Sequence, residues 1–144
     1  MRFKYSIWSV FICLAIFQSA GCKWMSRPSL SGAWKGTIES TDKRGHKWHG
    51  PAELTIGQNG DAVTGSLAFT HPQAGRIQVP ISSGVLSRDD LTFSGQSQLP
   101  MGAIEITFHG KGTDSIISGT ADITLRAMLL GAVTENASLD LHKQ

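Results

Sequence analysis

The chain is poor in cysteine, in net charge and in long apolar runs. Its 144 residues hold two cysteines and carry a formal charge of only +2. The longest apolar run is Ile7 to Phe17, with Ser9 inside it. A bilayer-spanning helix needs roughly 20 apolar residues, so this run is too short to hold the chain in a membrane by itself. One cysteine, Cys13, lies inside that run, which leaves no pair for a disulfide framework in the rest of the chain. The charge excess comes from Arg2 and Lys4, and beyond them acids and bases balance. The basic surplus that nucleic-acid binding draws on is therefore missing. There is no nucleophile elbow, phosphate loop or paired-cysteine motif. The expectation is a non-enzyme without a cofactor.

What is present begins with a basic N-terminus, the short apolar run and the small residues before Cys22, the layout of a secretory signal. Ala20-Gly21-Cys22 resembles the processing site of bacterial lipoproteins, although a leucine is usual where Ser19 stands. The resemblance implies cleavage before Cys22, acylation of that cysteine and attachment to a membrane. Lys23 rather than aspartate after the cysteine implies the outer membrane of a two-membrane bacterium, facing the periplasm. The other reading is a plain signal cut near Ala20, leaving a secreted domain with one thiol. The chain then divides into a signal (1–21), a tether (22–29) and one domain (30–144). Trp24 is expected to pack on that domain rather than dip into headgroups.

From Leu30 onward apolar and polar residues alternate in short runs broken by turn residues, the period of half-buried strands. Leu30, Trp34 and Ile38 share one face, as do Leu54 and Ile56, then Val63, Leu67 and Phe69. Asn59-Gly60 between the last two runs is a strong hairpin signal. Further strands follow at Ile77–Ile81, where Pro80 argues for an edge or a strand end, and at Leu91–Gly95, Ile104–Gly110, Ile117–Leu125 and Leu139–Leu141. Ala127 to Val133 reads as a buried strand or a short helical turn. About eight strands with short turns predict an all-β antiparallel meander, closed or nearly closed into a small barrel, with a two-sheet sandwich as the alternative. Gly36, Gly65, Gly95, Gly110 and Gly119 fall on the inward phase, where they permit tight coiling or a close approach.

Gly32-Ala33-Trp34 and Thr64-Gly65-Ser66 resemble the opening motifs of avidin-type barrels and, more loosely, of the calycin group. The resemblance implies a barrel in which Trp34 plugs one end. It does not extend to biotin binding: Gly36, Leu67 and the absence of any tryptophan after Trp48 all depart from that pattern.

Asp42 to Gly50 is the densest polar and aromatic stretch. It reads as a solvated loop between the first two strands, ahead of a basic contact with an anion or a metal site at His46 and His49. Zinc wants three or four ligands, and no acid completes the set. Asp89 and Asp90 read as a turn, because neighbouring strand residues face opposite ways and cannot converge on one group. Two functions remain open. In the first, a lipid-anchored barrel holds a small apolar or lipid-like ligand among Trp34, Ile56, Leu67, Phe93 and Phe108. In the second, it is an envelope protein-interaction module, of partner-binding or protease-inhibitor type, with a filled core and an exposed patch at Met128–Leu130.

Overall fold

A computed structural model describes residues 26–129 and 131–144; the expected signal (1–21), Cys22, Trp24 and Leu130 lie outside these. Eight strands follow one another: β1 (Gly32–Thr41), β2 (Lys47–Asn59), β3 (Ala62–His71), β4 (Gly75–Ser87), β5 (Asp90–Leu99), β6 (Gly102–Gly112), β7 (Ile116–Ala127) and β8 (Gly131–Lys143). Each pairs antiparallel with the next, and β8 pairs with β1 to close the barrel. The meander read from the alternation is the fold, and closure decides it against an open sandwich.

The alternation places one apolar set inside. Ile38, Leu54, Phe69, Ile106 and Leu139 are each at most 1% exposed and belong to one continuous core. The outer wall carries polar side chains such as Glu39, Thr55, Gln78, Glu105, Asp122 and Asp140, all exposed. Membrane-spanning barrels have the opposite arrangement, with an apolar band facing lipid. This wall is built to face water.

The inward glycines mark close approaches between strands. A Cβ on Gly36 would lie 1.9 Å from the carbonyl oxygen of Asp140, and one on Gly95 would lie 2.1 Å from that of Pro80. Gly110 and Gly119 pair across β6 and β7, and the Phe108 ring covers both, its Cζ 2.6 and 2.8 Å from where their Cβ atoms would be. The space that glycine leaves is filled by a neighbouring backbone or ring. At the β2–β3 turn Gly60 has φ 62°, the conformation that made Asn59-Gly60 a hairpin signal.

Residues 26–31 close the barrel end at which β1 begins. Leu30 is fully buried, its N–H donates to Gln58 Oε1 at 2.7 Å, and its carbonyl accepts from Trp34 Nε1 at 2.8 Å. Ser29 N–H donates to Asp114 Oδ1, and Lys143 Nζ donates to Ser29 O. Arg27 pairs with Asp61. Trp34, 1% exposed, thus plugs this end together with Leu30.

Pro80 lies inside β4 but at a local edge, as expected: it pairs with Ser66 of β3, and the ladder to β5 starts only at Ile81, so its missing N–H interrupts no bond on that side. Two local expectations are corrected. Ala127 to Val133 is neither one buried strand nor a helical turn. Ala127 ends β7 and Gly131–Val133 begin β8, while Met128 and Leu129 in the turn between them are 89% and 96% exposed, because this hairpin projects past the end of the core. Asp89 and Asp90 do converge: both meet Lys111 Nζ, at 3.3 and 2.6 Å, because Asp89 lies in the turn before β5 and escapes strand alternation.

Candidate functional site

The end closed by residues 26–31 is the one at which β1 begins. The opposite end carries the β1–β2, β3–β4, β5–β6 and β7–β8 connections, and there the apolar lining of the barrel gives way to polar residues. Trp48 pairs with Ser40, and both lie in phase with the buried residues of their strands. His71 continues the inward phase of Leu67 and Phe69 on β3, and Glu135 that of Ala137 and Leu139 on β8. Four polar groups from four strands therefore meet where the core pattern would place apolar ones.

Their contacts form one network. Glu135 Oε2 accepts from Trp48 Nε1 at 3.2 Å. Ser40 Oγ, 3.4 Å from the same oxygen, donates its proton to the nearer Asn136 carbonyl at 3.0 Å. His71 packs edge-on against Trp48, with ring centroids 4.9 Å apart. Its Nδ1 accepts the Gln73 N–H at 3.2 Å, which assigns the proton of the neutral ring to Nε2, 4.0 Å from Glu135 Oε2. The His71 side chain is only 6% exposed. Desolvation holds its pKa below the usual histidine value, against the pull of the Glu135 charge. Protonation would also force Nδ1 to become a donor and break the Gln73 bond.

Around this floor stand apolar walls and tips. Leu99 and Leu125 are partly buried against the core, and Val133, paired with Leu125, is 44% exposed. Met128 N–H donates to Met101 O at 3.3 Å, which ties the β5–β6 and β7–β8 tips together. Met101 is 77% exposed. Across the mouth the β1–β2 loop is stiffened by Asp42, whose Oδ1 accepts from the N–H groups of Arg44 and His46. The His46 N–H foremost holds the Asp42 carboxyl below its usual pKa. Lys43, Arg44 and Lys47 project from this loop, all exposed and without an ion-pair partner among the described residues.

The residues expected to line an interior ligand site lie elsewhere. Trp34, Ile56, Leu67, Phe93 and Phe108 are at most 4% exposed and belong to the same core. Phe93 and Phe108 stack at 4.7 Å, while Trp34 is bonded to the plug at the far end. The loop expected over Asp42–Gly50 is shorter, since Lys47–Gly50 belong to β2. His46 Nδ1 contacts Asp42 Oδ2 at 3.1 Å and His49 is exposed on the outer wall. Among the described residues no group of three or more metal-ligating side chains forms.

Sequence reading missed the Ser40–Trp48–His71–Glu135 network. The signal that could have found it is a polar residue on the inward phase at the same end of four strands, which requires the register to be known. No protein-family model matches the sequence, and no curated protein matches it.

Proposed function

We propose that the protein is a lipid-anchored module of the bacterial cell envelope, held to the outer membrane through acylated Cys22, whose free barrel end binds a protein partner. The observation that carries this reading is the opposition of the two ends. The end next to the tether is sealed by Leu30, Trp34 and the bonds of Ser29. The other bears Met101, Met128 and Leu129, the largest exposed apolar side chains of the described residues. The stretch from Cys22 to Ser29 can span at most about 25 Å, so an anchored domain keeps its sealed end at the bilayer and its mouth toward the periplasm. Exposed apolar side chains clustered beside a polar rim are a mark of interaction surfaces. The packed state of Trp34, Ile56, Leu67, Phe93 and Phe108 supports partner binding over an apolar ligand inside the barrel.

A photoreactive residue placed at Leu129, with another at Asp61 on the sealed end, tests the reading in living cells. A discrete cross-linked envelope protein from Leu129, and none from Asp61, supports it. No cross-link from Leu129, or the same proteins from both positions, contradicts it.

A further inference from the structure

The barrel is closed, but its strands are not level at the mouth. The β1–β8 ladder ends at Thr41 and Asn136, whereas the β7–β8 ladder continues to Ala127 and Gly131. Gly131–Glu135 therefore overhangs β1, by about 17 Å at the usual strand rise. Hydrogen-bond parity shows which backbone groups this leaves open. Lys143 N–H donates to Ser115 O on the β7 side, and Gln144 N–H donates to Ala33 O on the β1 side. Both ladders run without a register shift, so odd-numbered residues of β8 bond to β7 and even-numbered ones face β1. Above Asn136 the even residues are Ala132 and Thr134. Their N–H and C=O groups point to where β1 has already ended, and no turn or loop backbone among the described residues bonds to them.

Natural sheets blunt such an edge with proline, lysine, a bulge or an inward-pointing charge. Here the edge reads Gly-Ala-Val-Thr-Glu, and of these devices it has only the inward Glu135, at its lower end. The facing edge of β4 differs: its stretch unpaired to β5 contains Arg76 and Pro80. Next to this edge, over the end of β1, a groove of about 300 Å³ opens, lined by Glu39, Thr41, Lys47, His49, Asn136 and Ser138 among others. The β1–β2 turn, which carries Lys43 and Arg44, follows directly on Thr41, whose partner Asn136 borders this edge. The even side of β8 is outward, with Ala132 and Thr134 exposed, and Val133 lies on the mouth face.

We propose that the partner binds by strand addition: an extended segment pairs with Ala132 and Thr134, its apolar residues toward Val133 and the mouth and its carboxylates outward toward Lys43 and Arg44. This rests on the partner-binding reading and names the chemistry of the segment. Main-chain bonds give such complexes affinity, and alternate side chains give them specificity. A second copy of this chain is the less suitable occupant. Pairing β8 with β8 about a two-fold axis at Val133 would bring two sets of Lys43 and Arg44 together, like charges facing like.

The test uses the full-length exported protein, isotopically labelled, and two capped heptapeptides, one alternating valine with glutamate and one alternating valine with lysine. Amide exchange of Ala132 and Thr134 is followed by NMR. The valine–glutamate peptide should slow both amides at least tenfold, saturably, and the valine–lysine peptide should not. Ala132→Pro, which removes an N–H that β7 does not use, should abolish the protection while leaving the β7–β8 amides protected. The double variant Lys43→Glu with Arg44→Glu should exchange the preference to the lysine peptide, keeping the edge itself intact. Three outcomes overturn the proposal: both amides exchange freely with either peptide, both peptides protect equally, or the amides are already protected without peptide in a concentration-dependent way, which assigns the edge to a second copy. Should Leu129 still cross-link an envelope protein while the edge amides exchange freely, strand addition fails and the partner-binding reading stands. A missing cross-link removes the reading as well.

Discussion

Trp48 and Glu135 meet across the mouth of the barrel, the indole Nε1–H donating to Oε2 at 3.2 Å. The two residues come from the second and the last strand and mark the level at which the apolar core stops. A carboxylate on an inward phase is tolerated there because it is partly wet and because the indole donates to it. The pair should be energetically coupled. A double-mutant cycle of Trp48→Phe and Glu135→Gln, read by urea unfolding, should give about 1 kcal/mol of coupling. Additive effects would mean that the bond contributes nothing.

His71 should make stability depend on pH in one direction. Its folded pKa lies below the unfolded value because burial disfavours the charged ring. The unfolded chain therefore binds the proton first as pH falls. The contribution is complete above the unfolded value of about 6.5 and is lost as pH drops through the lower folded value. His71→Asn keeps an acceptor for the Gln73 N–H and removes the titration. Unfolding free energies between pH 7.5 and 5 should fall less steeply in this variant than in the parent, and equal slopes would contradict the assignment.

Gly36→Ala should be among the most damaging single-methyl additions in the chain. The new Cβ would sit 1.9 Å from the Asp140 carbonyl oxygen, and that atom belongs to a strand fixed on both sides. Separating β1 from β8 to admit it should cost about 3 kcal/mol. Gly57→Ala is the control on the neighbouring strand, where the nearest atom is the Thr64 hydroxyl at 3.3 Å. Thermal unfolding of the two variants should rank them clearly, and equal effects would refute the close-approach account.

The sealed end can be tested through Leu30. Truncation to alanine removes a fully buried side chain and should cost about 3 kcal/mol. A loss near zero in chemical denaturation would mean that residues 26–31 are a loose tail rather than part of the domain.

Much of the fold was legible in the residues themselves. Period-2 alternation located the strands and the inward phase of Trp34, Asn59-Gly60 located a hairpin, and the avidin-type resemblance implied that Trp34 is a plug. The mouth was not legible. Ser40, Trp48, His71 and Glu135 each stand near the end of a run, where a polar residue reads as the start of a loop. Only the register places them on one level. The β7–β8 connection was ambiguous for the opposite reason: Met128 and Leu129 belong to a continuous apolar run, which reads as buried or as an exposed patch, and what exposes them is the overhang of that hairpin beyond the core. Pro80 was legible as an edge residue, and the staggered barrel gives it a position with a ladder on one side only.

Native and denaturing mass spectrometry of the protein, extracted from its own membranes in mild detergent, tests the anchored partner-binding module most directly. The account predicts a denatured mass equal to residues 22–144 plus an acyl-glyceryl group, and a native mass that is either free of small molecules or raised by a whole protein. An unmodified chain beginning near Gly21 would contradict the anchor. A small-molecule mass that disappears on denaturation would contradict the filled barrel and return Phe93 and Phe108 to the role of ligand contacts.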